Sequence, residues 1–472
     1  MTSSDQSAPS YQELAALVVQ LRSELEHANK RIFELEAQIA RSSRNSSQPP
    51  SADGLVKPAP KSQRRRTGRK PGGQDGHPGR TRAQTADPDH VAEHQPPACE
   101  GCGADLAGAA RTGMVRRQVV DLPPIKPTVT EHQMIERTCA CGKATRADAP
   151  QGVNAPVQFG ANVRATICYL YLGQFLSAKR TAQALSDLLG CAVSAGTVIS
   201  TARRAGAGLK TFTRTAAQHI AAAPVAHFDE TGLRVGGSLV WVHSASTNKW
   251  SLLTAHPKRG RAAMDAAGVL PTFTGLAVHD AWAPYDTYTD VGAHVLCNAH
   301  LLRELQAVCD AAGEGVWCWA GQAAQALREM KVLVDEHLAK SSSLAGIDSA
   351  RMGTLRHQWS SAVAIGLDQT SGRESKLVAK FHALARRMRN RQDDYLRFTV
   401  DERAPFDNNP AEREVRMVKV RQKVSGCLRS LAGAEWFCAV RSYVATAAKH
   451  GIGMFDALVY LAQGQCWMPE TV

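Results

Sequence analysis

The 472-residue sequence predicts a multidomain α/β protein. Three observations carry that expectation: an N-terminal heptad repeat, two close cysteine pairs, and a series of short apolar runs that end on acids before a long helical stretch. A chain of this length is too long for one ordinary core, and its 44% hydrophobic content excludes wholesale disorder. The start lacks a basic segment followed by an apolar one, so no signal peptide is expected. No run reaches the ~18 uncharged apolar residues of a membrane helix, and the expected location is the cytoplasm. Twelve cysteines without regular spacing argue against a secreted disulfide scaffold.

In chain order, Leu14, Val18, Leu21, Leu25, Ala28, Ile32, Leu35 and Ile39 alternate spacings of four and three. That 3.5-residue period predicts a coiled coil within residues 1–45 and a homo-oligomer through it. Residues 46–92 read as a flexible basic arm. The stretch 41–82 holds eleven Lys or Arg against Asp53 and Asp75, supplying +9 of the net +13. Its Pro, Gly and Ser content prevents independent folding. Arg64, Arg65, Arg66, Arg69 and Lys70 beside Gly and Pro suit contact with DNA; a solvated linker is the plainer alternative.

Cys99 and Cys102, then Cys139 and Cys141, fall in a module spanning 93–150. Each pair is followed by Gly, a pattern suited to a closed, structural zinc ion. The intervening RRQVVDLPPIKPTVTEHQMIERT alternates around Pro-Pro, predicting a hairpin. Residues 151–220 read as helical, with Gly190, a Ser194 cap, and Arg203 and Arg204 on the following helix giving a helix-turn-helix-like pattern; ordinary helical packing explains the same string.

From residue 221 the pattern turns to strands. Runs at 224–231 and 275–282 end on or near Asp229 and Asp280, with two further strands at 238–244 and 250–254. Two carboxylates at strand ends can converge on divalent metal, as phosphoryl transfer with two ions roughly 3.5–4 Å apart requires. Phe406 to Glu414 looks like a helix start with an Asx cap and an early Pro, offering Glu412 as a third acid and Glu414 as its rival. Arg416 and Lys419 follow near the Glu412 face, where they are expected to hold phosphate.

The strings RNSSQPPSADG, GRKPGGQDGHPG, FDETG, VHDAWAPY, CNAHLLREL and FDNNPAERE, together with the cysteine pairs and in this order, resemble the transposases of the insertion-sequence-66 family from about residue 14 to 465. The resemblance implies a ribonuclease-H-like catalytic core (221–310 and 400–455) interrupted by a helical insertion (311–399), with a tail at 456–472. It implies a DDE triad on Asp229, Asp280 and Glu412 binding Mg²⁺ or Mn²⁺. It further implies nicking of terminal inverted repeats and strand transfer into target DNA, with accessory proteins of the element as possible partners. Cys297 and His300 fall where related enzymes carry a CxxH pair, read as active-site support; alone they are half a zinc site. The string at 418–427 lacks the aromatic expected beside Arg421, Gln422 and Lys423. The alternative functions are a DNA-binding regulator and a catalytically inactive accessory protein of the same element.

Overall fold

The computed structural model describes residues 11–39, 45, 82–313, 315–373 and 375–470; the expected arm residues Arg64, Arg65, Arg66, Arg69 and Lys70 lie outside them. Helix α1 spans Tyr11–Ile39 and carries the heptad positions. Its apolar stripe is bare in the single chain, with Leu21 53% and Leu25 62% exposed.

The cysteine module is built from two tight turns. Gly103 N–H donates to Cys99 O at 2.8 Å and Gly142 N–H to Cys139 O at 2.8 Å; both glycines have positive φ, +74° and +82°, which a side chain would disfavour. The predicted hairpin between the pairs is not formed. Only β1 (Glu136–Thr138) is a strand, and it pairs with β2 (Ala144–Arg146) across the second cysteine turn. Pro123, Pro124 and Pro127 remove the donors a ladder needs. The extended chain is held instead by side chains, with Arg116 and Gln118 bonded to the backbone of Thr85.

Helices α2 (Ala161–Cys168), α3 (Ala178–Leu189), α4 (Ala195–Ala207) and α5 (Lys210–Ala221) follow. Gly190 closes α3 in the left-handed region, and Ser194 Oγ accepts the Thr197 N–H at 3.0 Å to open α4. Arg203 and Arg204 are exposed on α4. The opposite face of these helices is buried in one core with the sheet that comes next.

That sheet has the order β5-β4-β3-β6-β7. β3 (Val225–Val235) and β4 (Ser238–Ser246) form a hairpin through Gly236 and Gly237, both at positive φ, and β5 (Ser251–His256) extends it antiparallel. Short α6 (Arg261–Ala266) leads to β6 (Leu276–His279) and β7 (Ala293–Leu296), which lie parallel to β3. Strand alternation divides the two cores. Ala226, Phe228 and Ala277 face α2–α5, whereas Leu276 and Val278 face α7 (Asn298–Ala312), α8 (Trp319–Leu338), α9 (Ser349–Gln369), α10 (Lys376–Asn390) and α11 (Gln392–Leu396). The stretch expected to be a helical insertion is thus α8–α11, packed on β6 and β7. The chain returns through α12 (Asn409–Ser425), α13 (Leu431–Lys449) and α14 (Met454–Ala462).

The parallel strands approach closely where they start. A Cβ on Gly275 would lie 2.4 Å from Ala223 O and 2.7 Å from Pro224 O, both backbone atoms that cannot swing aside. Gly275→Val is therefore expected to cost at least about 1–3 kcal/mol, the scale of overpacking a tight site. Chemical denaturation monitored by tryptophan fluorescence checks it, and an unchanged midpoint would contradict the close approach.

Candidate active site

Sheet register aligns the two aspartates, but only Asp280 stands at a strand end as expected: β3 runs on through Asp229 to Val235, because it continues into the hairpin with β4. Val225 pairs with Leu276 and His227 with Val278, so two residues further along each strand stand Asp229 and Asp280. On the other side His279 pairs with Leu296, and the next residues are Asp280 and Cys297; Cys297 N–H donates to His279 O at 3.0 Å. Asp229, Asp280 and Cys297 thus form a row across three parallel strands, Asp229 within β3 and the other two just past the carboxyl ends of β6 and β7, the edge at which open α/β sheets place their ligand crevices.

The third acid comes from α12. Pro410 sits in its first turn, but the Asx bond is made by Asp407 Oδ1, which accepts Asn409 N–H at 3.0 Å, and not by the capping residue Asn408. The buried Asn408 side chain does something else. Its amide donates to Phe228 O at 2.7 Å, its oxygen meets His227 Nδ1 at 3.0 Å, and its backbone N–H points at Cys297 Sγ, 3.2 Å away. One residue therefore ties the start of α12 to β3 and to the end of β7, which fixes where Glu412 emerges.

Burial, then the charges of Glu230, Asp280 and Glu412, pushes the Asp229 carboxyl well above its ordinary range. Burial also raises Asp280, opposed by the Trp282 N–H and by Arg259 and Arg387, and raises Glu412, opposed mainly by Arg303. The hydrogen bonds to Asp229 and Asp280 come from the backbone N–H of Glu230 (2.8 Å) and Trp282 (3.0 Å). Among the described residues, no lysine or arginine pairs with either. Asp229, Asp280 and Glu412 are near enough to feel one another's charge, but among the described residues their carboxylate oxygens do not all gather within 4.8 Å; their chemistry, hard oxygen donors without a paired protein cation, is what suits a divalent ion.

Glu414 faces elsewhere, accepting Ser251 Oγ at 2.8 Å. Lys419, expected to hold phosphate beside Glu412, instead donates to Gly232 O at 2.7 Å and pins α12 to β3. Arg416 is exposed, and its charge, after that of Arg303, opposes the upward shift of Glu412. Arg421 is buried, with its guanidinium over Tyr171 and donating to Phe175 O, so its role is in packing.

Sequence reasoning missed the support around Glu230. This buried acid accepts Arg259 Nη2 at 2.7 Å and Nε at 3.1 Å, and Tyr285 O–H at 2.7 Å. Arg259 lies over Trp282 at 3.9 Å and Trp241 at 4.7 Å. FDETG and VHDAWAPY contain the acid and the tyrosine, but nothing in the local pattern marks Arg259. Arg259→Met would leave Glu230 buried without its cation, a change on the scale of ~3–5 kcal/mol for a fully buried pair; the guanidinium keeps some solvent contact, so we expect the lower end. Arg259→Met/Glu230→Gln should recover most of the loss in denaturation midpoint; no recovery would mean the pair is not the cause.

Among the described residues, two groups of candidate metal ligands lie within 4.8 Å: Cys297, His300 and Glu412, and His279, Asp286 and His294. The second is already internally bonded, His279 Nε2 to His294 Nδ1 at 2.9 Å and Asp286 to Arg391. Cys99, Cys102, Cys139 and Cys141 remain as two separate turns and do not form such a group. Their chemistry suits zinc: the Cys102 and Gly101 amides hold the Cys99 thiol below its usual range, and the Cys141 amide and thiol do so for Cys139.

Comparison with known families gives three matches. The model of the Transposase IS66 family matches residues 156–436, and that of the zinc-finger binding domain of transposase IS66 matches residues 96–142. A family of unknown function matches residues 1–83. No curated protein matches the chain.

Proposed function

Because this chain belongs to the Transposase IS66 family, we propose that it is a DDE transposase whose Asp229, Asp280 and Glu412 carry out DNA end cleavage and strand transfer with Mg²⁺ or Mn²⁺. The carrying observation is the register that aligns Asp229, within β3, with Asp280, just past the end of β6. The mutual electrostatic influence of these two acids and Glu412 supports the third assignment. The sheet, three parallel strands continued by an antiparallel pair and flanked by helices, is the arrangement we read as ribonuclease-H-like, with α8–α11 as its insertion.

In this reading the three carboxylates would hold the divalent metal, which would supply activation of the attacking oxygen and neutralisation of the leaving one. Asn408 holds α12 so that Glu412 meets the strand ends. Arg303 and Arg416 oppose the upward shift of Glu412 and would add positive charge beside a phosphodiester. A water oxygen attacks phosphorus at the element's end, the P–O3′ bond breaks, and a 3′-hydroxyl is released. That hydroxyl then attacks a target phosphodiester, expelling another 3′-oxygen, so no bond to the protein forms.

The remaining parts serve this chemistry. Cys99, Cys102, Cys139 and Cys141 would hold structural zinc, and the bare stripe of α1 would pair with a second copy as a coiled coil. The basic arm would grip phosphates without reading sequence, while Arg203 and Arg204 on α4 would meet DNA.

The test is a cleavage assay on DNA carrying the element's ends. We expect 3′-hydroxyl products with Mg²⁺ or Mn²⁺ and none with chelator. Because all three carboxyls are raised, protons compete with metal at higher pH than for free acids, so half-maximal Mg²⁺ should rise as pH falls. Cleavage that survives chelation would sink the proposal.

A further inference from the structure

Glu412 also meets donors of a different kind. Cys297 caps α7 and His300 lies in its first turn, so both side chains leave the same helix start. Glu412 Oε1 lies 4.0 Å from Cys297 Sγ and 3.4 Å from His300 Nδ1, and the three ligand atoms are all within 4.8 Å of one another. Tetrahedral coordination with a metal–sulfur bond of ~2.3 Å and metal–nitrogen or –oxygen bonds of ~2.1 Å separates ligand atoms by roughly 3.3–3.6 Å. Small rotamer changes would bring all three onto one ion.

Two further observations point the same way. His300 Nδ1 is buried without a hydrogen bond; its approach to Glu412 is close but poorly aligned. A buried nitrogen in that state carries a desolvation cost that coordination would remove. Cys297 Sγ receives the Asn408 N–H at 3.2 Å, which fixes where the sulfur sits; burial and then Glu412 push the free thiol up to about 12. One thiol, one imidazole and one carboxylate leave a fourth position open and suit zinc far better than magnesium. Asp229 and Asp280 offer only oxygen, so Glu412 stands between a hard site and a soft one.

We propose that Cys297, His300 and Glu412 form a second metal site, selective for thiophilic divalent ions such as Zn²⁺, and that its occupation withdraws Glu412 from Asp229 and Asp280 and halts cleavage. The regulatory half rests on the catalytic reading of Glu412; the binding half does not. The CxxH pair looked like half a zinc site because its completing ligand lies 115 residues further along the chain.

The full-length chain is equilibrated with Zn²⁺ alone, dialysed, and its zinc content measured by atomic emission. Cys297→Ala and His300→Ala should each hold one equivalent fewer than wild type. Competition with a chromophoric chelator should show at least about tenfold weaker binding at the affected site. Since Cys297→Ala also removes a packing contact, His300→Gln and the near-ultraviolet thiolate band of Co²⁺-loaded protein provide independent readings. Equal metal content in wild type and variants overturns the site. In Mg²⁺ cleavage assays, Zn²⁺ should inhibit wild type at concentrations at least about tenfold below those needed for His300→Ala; equal inhibition overturns the regulatory half. If Asp229→Asn still cleaved, the catalytic reading would fall while the zinc stoichiometry stood.

Discussion

Asp229→Asn is expected to lower Mg²⁺-dependent end cleavage and strand transfer by at least roughly 100- to 1,000-fold, the scale for losing one preorganised electrostatic group. The substitution keeps the shape of the side chain and the bond its oxygen accepts from Glu230 N–H, so the sheet should be undisturbed. What it removes is one negative charge from a cluster in which Asp280, Glu412 and Glu230 already repel it. The metal-free variant should therefore be at least as stable as wild type. DNA binding, which we assign to the basic arm and the exposed arginines, should be retained in a gel-shift assay. Loss of cleavage with intact binding and an unchanged or raised Tm would separate chemistry from folding. A variant that still joined ends would remove Asp229 from the triad.

The parts of this site that sequence reveals are those written in local pattern. Asp229 and Asp280 stand out because apolar runs end on them, and the cysteine pairs because each precedes a glycine whose positive φ makes the turn. Residues whose roles arise from distant partners leave no such mark. Asn408 reads as an ordinary cap, yet its side chain bridges to Phe228 and His227, about 180 residues away. Arg259 is an unremarked cation in a loop until the fold sets it against Glu230. Strand β7 is only four residues long, too short for its alternation to register. The hairpin expected between the cysteine pairs failed for the opposite reason: its alternation is real, but three prolines interrupt the donors that a ladder needs.

The choice between Glu412 and Glu414 can be made by the same physics. The two are separated by about 200° around α12, so they serve different neighbours. Glu414 accepts Ser251 Oγ and lies 3.8 Å from Lys449, whose ammonium donates to Thr247 O and Trp250 O; together they join α12, α13 and β5. Glu412→Gln should lose cleavage by roughly 100-fold or more with little change in stability. Glu414→Gln should keep cleavage within about tenfold and destabilise by ~1–3 kcal/mol, because the Lys449 charge loses its partner. Burial pushes Lys449 down to about 8 from 10.5, with Glu414 opposing that shift. Without Glu414 the folded-state value falls further, so below it the charged amine weighs against folding more than in wild type. As pH rises through the window between the folded and unfolded values, the folded state releases its proton first and stability recovers. The deficit of Glu414→Gln relative to wild type should therefore shrink between pH 7 and about pH 10 in urea denaturation. If Glu414→Gln abolished cleavage and Glu412→Gln did not, the third acid would be Glu414; if both cleaved normally, a DNA-binding regulator would be the better reading.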